Sequence, residues 1–311
     1  MIMFGRNVPV KKRVPFNLER KVAAHKTSEA WETVPHAGII IELDVTTLLT
    51  FIESLKQSPD FKDLRPTINL VMLKIIAEGL KKSPELNAYI KYNKDSNAGE
   101  IILLEDVNIA VVTYLADGRT VTPVLMQVDK KSLKELCKDM EHLQQRIKNT
   151  NIDYLLFEAA WMDTMENVRQ GHLCRVINRA VHNFFGKNKV IPPRKALKEY
   201  EKIPPDHRIT AKDLLSATVL VSNIGPVFKG LRCSIGLLQV IPPQVAVFGV
   251  ASVRRAPVVI RDEMGEEVVA IRDILPVSIY ADHRGIDFGP AVDMIRRILE
   301  LCEHPDELLS L

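Results

Sequence analysis

His283 and Asp287 stand four residues apart in the stretch Ser278-Ile279-Tyr280-Ala281-Asp282-His283-Arg284-Gly285-Ile286-Asp287-Phe288-Gly289-Pro290. A neutral imidazole takes up a proton near pH 7 without a large pKa shift, so a positioned histidine is a candidate general base. Upstream, residues 274–280 are apolar and partly β-branched, which predicts a buried strand. Downstream, Val292, Ile295, Ile298, Leu299 and Cys302 recur at helical spacing, with Pro290 suited to the first turn. The histidine is therefore expected in a short strand-to-helix connection, and loops held between rigid elements commonly carry chemistry. Plainer readings stand beside this one: Asp287 as a helix cap and His283 as a surface turn residue. A metal pair would leave most of a coordination shell unfilled, so no metal is expected.

The chain has 311 residues, enough for a substantial core in one large domain or two ordinary ones. Its 42 Lys and Arg against 39 Asp and Glu leave a net charge of only +3. No general field directs it toward nucleic acid or an anionic membrane, and neither partner is expected. No uninterrupted apolar run is long enough to span a bilayer. The N-terminus turns basic at Lys11-Lys12-Arg13 after a few apolar residues, unlike a secretory signal. Cys137, Cys174, Cys233 and Cys302 are widely separated, which predicts reduced thiols in a soluble cytoplasmic protein.

Periodicity predicts helices over 15–32, from 46 onward, over 68–82 and over 131–148. In the third, Leu70, Leu73, Ile76, Ala77 and Leu80 form the expected buried face. Strands are expected at 37–45, 89–92, 100–104, 107–114, 120–126, 217–221, 245–253, 257–260 and 267–271. Helices and strands mix without strict alternation, which predicts an α/β fold with a mixed sheet rather than a doubly wound parallel one. Residues 152–206 differ in carrying Tyr154, Phe157, Trp161, Phe184, Phe185 and Tyr200, a break near Gly171, and the pairs Pro192-Pro193 and Pro204-Pro205. They read as an embedded helical insertion whose aromatics pack together; a lid or acceptor-docking surface is the sharper alternative. There is no glycine-rich phosphate loop.

Several separated segments carry a colinear resemblance. They are Arg20-Lys21-Val22-Ala23 followed by Val34-Pro35-His36, Glu85-Leu86-Asn87-Ala88, Val107 to Val112, and Thr122-Pro123-Val124. Further on come Val221-Ser222-Asn223-Ile224-Gly225, Pro242-Pro243-Gln244 with its following strand, and Asp282-His283-Arg284 through Asp287. In these the chain resembles the catalytic domain of the 2-oxo acid dehydrogenase dihydrolipoamide acyltransferases. Through that family it also resembles the chloramphenicol acetyltransferase-like fold. The resemblance covers nearly everything except the first dozen residues and the 152–206 insertion. It implies one acyltransferase catalytic domain built as a two-layer mixed sheet with packed helices.

It also implies acyl transfer between coenzyme A and an acceptor, normally the thiol of dihydrolipoyl-lysine, in a channel at a trimer interface. His283 matches the general base, and Ser222 the hydroxyl that donates to the oxyanion of the tetrahedral intermediate, the two facing each other from neighbouring subunits. Asp287 matches the carboxylate that braces the histidine loop, and Arg20 aligns with the family's early arginine as its ion-pair partner. On the residues alone, Ser222 reads as a strand-end turn hydroxyl and Arg20 as part of a solvated helix face. Two positions depart from the motifs: Phe288 stands where the family has Gly, and Ile241 where Asn precedes Pro-Pro. The ring of Phe288 is expected to narrow the acyl or acceptor pocket or to reshape the turn. The chain begins at the catalytic domain, so a lipoyl group is expected only if supplied in trans. The expectation is a homotrimeric CoA-dependent acyltransferase that uses acyl-CoA and a small-molecule or carrier-bound thiol, amine or hydroxyl. The alternatives are a dehydrogenase-complex core served by lipoyl domains in trans, and a non-catalytic oligomeric scaffold. The ending Leu308-Leu309-Ser310-Leu311 resembles the family's cage contact and leaves a larger cage open; a frayed tail is the plainer reading.

Overall fold

The computed structural model describes residues 8–115, 118–169, 194–228 and 231–311. Its main sheet is arranged around the strand that leads to His283. That strand, β11 (Glu267–Asp282), pairs antiparallel with β1 (His36–Asp44), β9 (Ala246–Val250) and β10 (Arg254–Arg261). β9 lies parallel to β8 (Val219–Asn223), and β8 parallel to β4 (Ile109–Val111). An antiparallel β7 (Val124–Leu125) completes the order β1-β11-β9-β8-β4-β7. The sheet is mixed, as its sequence predicts. Two hairpins stand apart from it: β2 (Ala88–Asn93) with β3 (Ala98–Leu103), and β5 (Thr113–Tyr114) with β6 (Thr120–Val121).

Strand boundaries differ from expectation where backbone partners, rather than side-chain pattern, decide them. The runs 267–271 and 274–280 form one strand because the polar Arg272-Asp273 step between them is tied into the ladder. The Asp273 amide donates to Thr46 Oγ1 at 2.9 Å, and its carbonyl accepts from the Val45 amide at 2.8 Å. The run 120–126 is split at Pro123, which has no amide hydrogen to give a ladder. The run 107–114 divides at Val112 into β4 and β5.

Among the described residues the α-helices are α1 (Leu18–Thr33), α2 (Thr46–Gln57), α3 (Ile68–Lys82), α4 (Leu133–Lys148), α5 (Ile152–Arg169), α6 (Arg194–Glu201), α7 (Lys212–Leu215) and α8 (Ala291–Glu303). α1 starts later than expected because the Asn17 side chain caps it, accepting from the Arg20 amide at 2.8 Å. α3 is buried on every side from Leu70 to Leu80 rather than along one face, since α8, α4 and the 128–130 turn enclose it. At Gly79 the α3 backbone meets α8 so closely that a Cβ would lie 2.8 Å from Met294 Cγ. That contact turns Ala291, Met294, Ile298, Leu301 and Cys302 inward and leaves Val292 and Leu299 outside, a rotation from the expected face. The break near Gly171, the pair Pro192-Pro193, Phe184 and Phe185 lie outside the described residues.

Enclosing α3 buries two charges. Lys74 Nζ sits 2.8 Å from Glu78 Oε1 and donates to the Asp129 carbonyl at 3.1 Å, while Lys81 Nζ is 2.9 Å from Glu78 Oε2. Burial raises the Glu78 pKa, but the two ammonium groups outweigh it and hold the carboxyl below its ordinary 4.5. A carboxyl depressed on folding adds stability above its unfolded pKa and loses it as pH falls through the folded value. Glu78→Gln should therefore cost about 3 kcal/mol at pH 7 by leaving Lys74 poorly compensated. It should also flatten the loss of stability below pH 4.5 that the parent chain shows in urea titrations.

Candidate active site

β11 delivers His283 to the end of the sheet, where the His283 amide donates to the Pro35 carbonyl at 3.0 Å. The turn that follows is built on Asp282, which is wholly buried. Its carboxylate accepts from the Arg284 amide and Nε, each at 3.0 Å, and from Nη2 at 2.5 Å. Its carbonyl accepts from the amides of Gly285 and Ile286 at 3.1 and 3.3 Å. The Arg284 guanidinium lies 5.5 Å from the centre of the Tyr92 ring on β2. Gly285 rests on the same hairpin, where a Cβ would stand 3.1 Å from Ile90 Cδ1. The β2–β3 hairpin and the Asp282–Arg284 pair thus hold the loop in one shape. Asp282→Asn leaves a largely buried guanidinium short of its counter-charge, so a loss of about 3 kcal/mol is expected in chemical denaturation.

This frame determines the state of the imidazole. His283 Nδ1 lies 3.0 Å from the Ile286 carbonyl oxygen, which can only accept, so Nδ1 carries the proton. The Nε2 lone pair is then free to take another, on a side chain 49% exposed. Asp287 Oδ1 is 3.3 Å from the same Nδ1, on a side chain 87% exposed. The pair predicted from spacing is therefore formed, with Asp287 on the ring rather than capping a helix. Phe288 is partly buried and packs against the main core.

Ser222 is elsewhere. It lies within β8, opposite Gly249 of β9, which in turn is opposite Ser278 of β11. His283 is five residues beyond Ser278, so within one chain the two are about 17 Å apart along the strands and about 10 Å across them. The Ser222 hydroxyl is partly exposed and has no hydrogen-bond partner among the described residues. Its neighbour Asn223 fixes the strand end, donating to Asn69 Oδ1 at 2.5 Å and accepting from the Gly225 amide at 2.8 Å. Sequence reasoning missed the partner, Asn69, whose only signal was an Asn in the apolar first turn of α3.

Arg20 does not reach Asp287. It is exposed in the first turn of α1 and makes no side-chain ion pair among the described residues. The other end of α1 is the one beside His283, and the intervening helix is about 20 Å long. The expected Arg20–Asp287 pair is not formed within this chain; His283 is the partner of Asp287 instead.

The two buried thiols are poor nucleophiles. Burial pushes the Cys137 thiol up to about 11 and the Cys302 thiol up to about 12. Among the described residues no group of three His, Cys, Asp or Glu could hold a metal ion, and no helix is long and apolar enough to cross a membrane.

The sequence pattern of the 2-oxoacid dehydrogenases acyltransferase (catalytic domain) family matches residues 9–155 and 187–310. The chain belongs to that family. It is 23% identical over 300 residues to the lipoamide acyltransferase component of the branched-chain alpha-keto acid dehydrogenase complex of Bacillus subtilis (strain 168). That alignment covers 96% of this chain and 54% of the relative. It is 22% identical over 306 residues to the dihydrolipoyllysine-residue acetyltransferase component of the Rickettsia felis pyruvate dehydrogenase complex, covering 98% of this chain and 57% of the relative. The chain thus spans about half the length of these curated relatives.

The fold is that of the family's solved catalytic cores. The cubic core of a pyruvate dehydrogenase multienzyme complex superposes with a TM-score of 0.66 at 20% identity, covering 99% of this chain and 98% of the other. The Azotobacter vinelandii dihydrolipoamide acetyltransferase gives a TM-score of 0.65 at 21% identity with the same coverage. In that enzyme a serine, a histidine and an asparagine four residues after the histidine have been investigated for their roles in the catalytic mechanism.

Proposed function

We propose that this chain transfers an acyl group between coenzyme A and an acceptor thiol, with His283 Nε2 as the base. The observation that carries the reading is the 3.0 Å contact between Nδ1 and the Ile286 carbonyl, which can only accept and so assigns the proton of the neutral ring to Nδ1 and its lone pair to Nε2. Nε2 takes the proton of the acceptor thiol, and the sulfur attacks the thioester carbonyl. The resulting oxyanion accepts a hydrogen bond from a Ser222 hydroxyl. Collapse expels the coenzyme A sulfur, which recovers the proton from Nε2. Neighbouring copies in a homotrimer supply the two groups, because the register of β8, β9 and β11 separates them within one chain. The serine, histidine and asparagine of the Azotobacter enzyme support this assignment, with Asp287 at the asparagine's spacing from the histidine. The names of the curated relatives favour dihydrolipoyl groups as acceptor.

The direct test incubates the purified protein with several acyl-CoAs, with and without dihydrolipoamide, and follows free CoA. Release that depends on dihydrolipoamide is the expected result. Release with amine or hydroxyl acceptors alone would replace the thiol as acceptor, and silence in every combination would remove the catalytic reading.

A further inference from the structure

A second concave site lies far from the histidine loop. A cavity of about 370 Å³ opens between α5 and α6, with Tyr154, Phe157 and Trp161 on one wall and Leu197 and Tyr200 on the other. Tyr154 and Tyr200 are buried and stacked with ring centres 5.3 Å apart, which makes them the floor. Phe157 is partly exposed and Trp161 is 49% exposed, so these rings are the ones available above it. Residues 154, 157 and 161 recur at helical spacing, which normally marks packing; here the stripe meets α6 across an opening instead.

The charges around the opening are unequal. Arg208 is committed: its Nε donates to the Ile203 carbonyl at 3.1 Å, its guanidinium lies 4.6 Å from the Tyr200 ring centre, and Nη1 is 3.4 Å from Glu158 Oε2. Glu158 remains partly exposed, and Glu201 is exposed with no partner among the described residues. Aromatic faces carry negative potential at their centres, and two carboxylates, Glu158 and Glu201, face the single Arg208 guanidinium in the lining, so this net negative, ring-lined opening attracts a cation with an apolar body and disfavours an anion. A concave, largely aromatic pocket with a few convergent polar groups is also the usual form of a small-molecule site.

The cavity stands well away from the histidine loop of its own chain. α5 packs beside α1 and α7, and α7 packs on β7, four strands and about 19 Å from β11. Phe157, Glu158 and Trp161 fall between the two stretches that match the family pattern, so this wall belongs to the chain's own sequence rather than to the shared domain.

We infer that the α5–α6 cavity binds a small organic ammonium with a flat apolar body, seated between Phe157 and Trp161 with its charge toward Glu158 and Glu201. The inference does not rest on the acyl-transfer reading. The test titrates the full-length Trp31→Phe protein with 2-phenylethylammonium, following Trp161 fluorescence and confirming by calorimetry. Neutral 2-phenylethanol and anionic phenylacetate are the controls. Saturable binding of the ammonium is expected, about tenfold tighter than the alcohol, with phenylacetate weakest. Glu158→Gln with Glu201→Gln should reduce the ammonium to the level of the alcohol, and Trp161→Ala should weaken both. The CoA-release rate should stay unchanged in both the double variant and Trp161→Ala. No saturable binding, equal binding of all three probes, or indifference to Trp161→Ala would overturn the assignment.

Discussion

His283→Ala is expected to lower dihydrolipoamide-dependent CoA release by about 10²–10⁴-fold while leaving the chain folded. The size of the loss follows from the isolation of Nε2. Among the described residues no other imidazole or low-pKa thiol stands on this loop, and the nearest acidic group, Asp287, is on the protonated side of the ring. The fold survives because the ring is half exposed and its polar contacts among the described residues, to Ile286 and Asp287, stay within its own loop. Asp287→Asn supplies the contrast. The Ile286 carbonyl, not the carboxylate, makes the shorter contact to Nδ1, so the tautomer persists and the rate should fall only a few-fold. Equal losses in the two variants, measured by initial rates of CoA release, would mean that the carboxylate rather than the carbonyl orients the ring.

Much of this arrangement was legible in the sequence, because local pattern was sufficient for it. The apolar run 274–280, the histidine after it and the helix behind Pro290 are neighbours in the chain, and the structure assembles them as a strand, a turn and a helix. The mixed sheet was legible for the same reason. What escaped depends on contacts between distant segments. Val292 and Leu299 are as apolar as Met294 and Leu301, and packing against distant segments, above all α3 with its close approach at Gly79, selects between the two faces of α8. Lys74 and Glu78 look like an exposed pair one helical turn apart, until α4 and α8 close over α3. The Asp282–Arg284 pair was quoted as part of a motif, but its work, fixing the turn from wholly inside the protein, appears only with its burial. Arg20 and Asp287 matched their motifs separately, and no single-segment match could report the length of α1 between them.

Mixing two inactive variants should restore activity. Ser222→Ala alone is expected to cost about 10²–10³-fold and His283→Ala more, since each removes one half of the proposed site. Ser222 and His283 are held at different levels of a single sheet by β9, whose residues Gly249 and Ala246 pair with Ser278 and Ala281 of β11. No side-chain rotation spans that register. If the working site joins Ser222 of one copy to His283 of the next, a Ser222→Ala chain still contributes an intact histidine and a His283→Ala chain an intact serine. Co-refolded at equal amounts into a cyclic trimer, about a quarter of the interfaces would combine the two intact groups. Specific activity should then recover to about that fraction of the parent's, far above either variant alone. A site formed within one chain predicts no recovery at any mixing ratio, because every chain would lack one of its two groups. Sedimentation of the mixture separates the outcomes further: recovery confined to the trimeric species supports the shared site, and an active monomer would refute it.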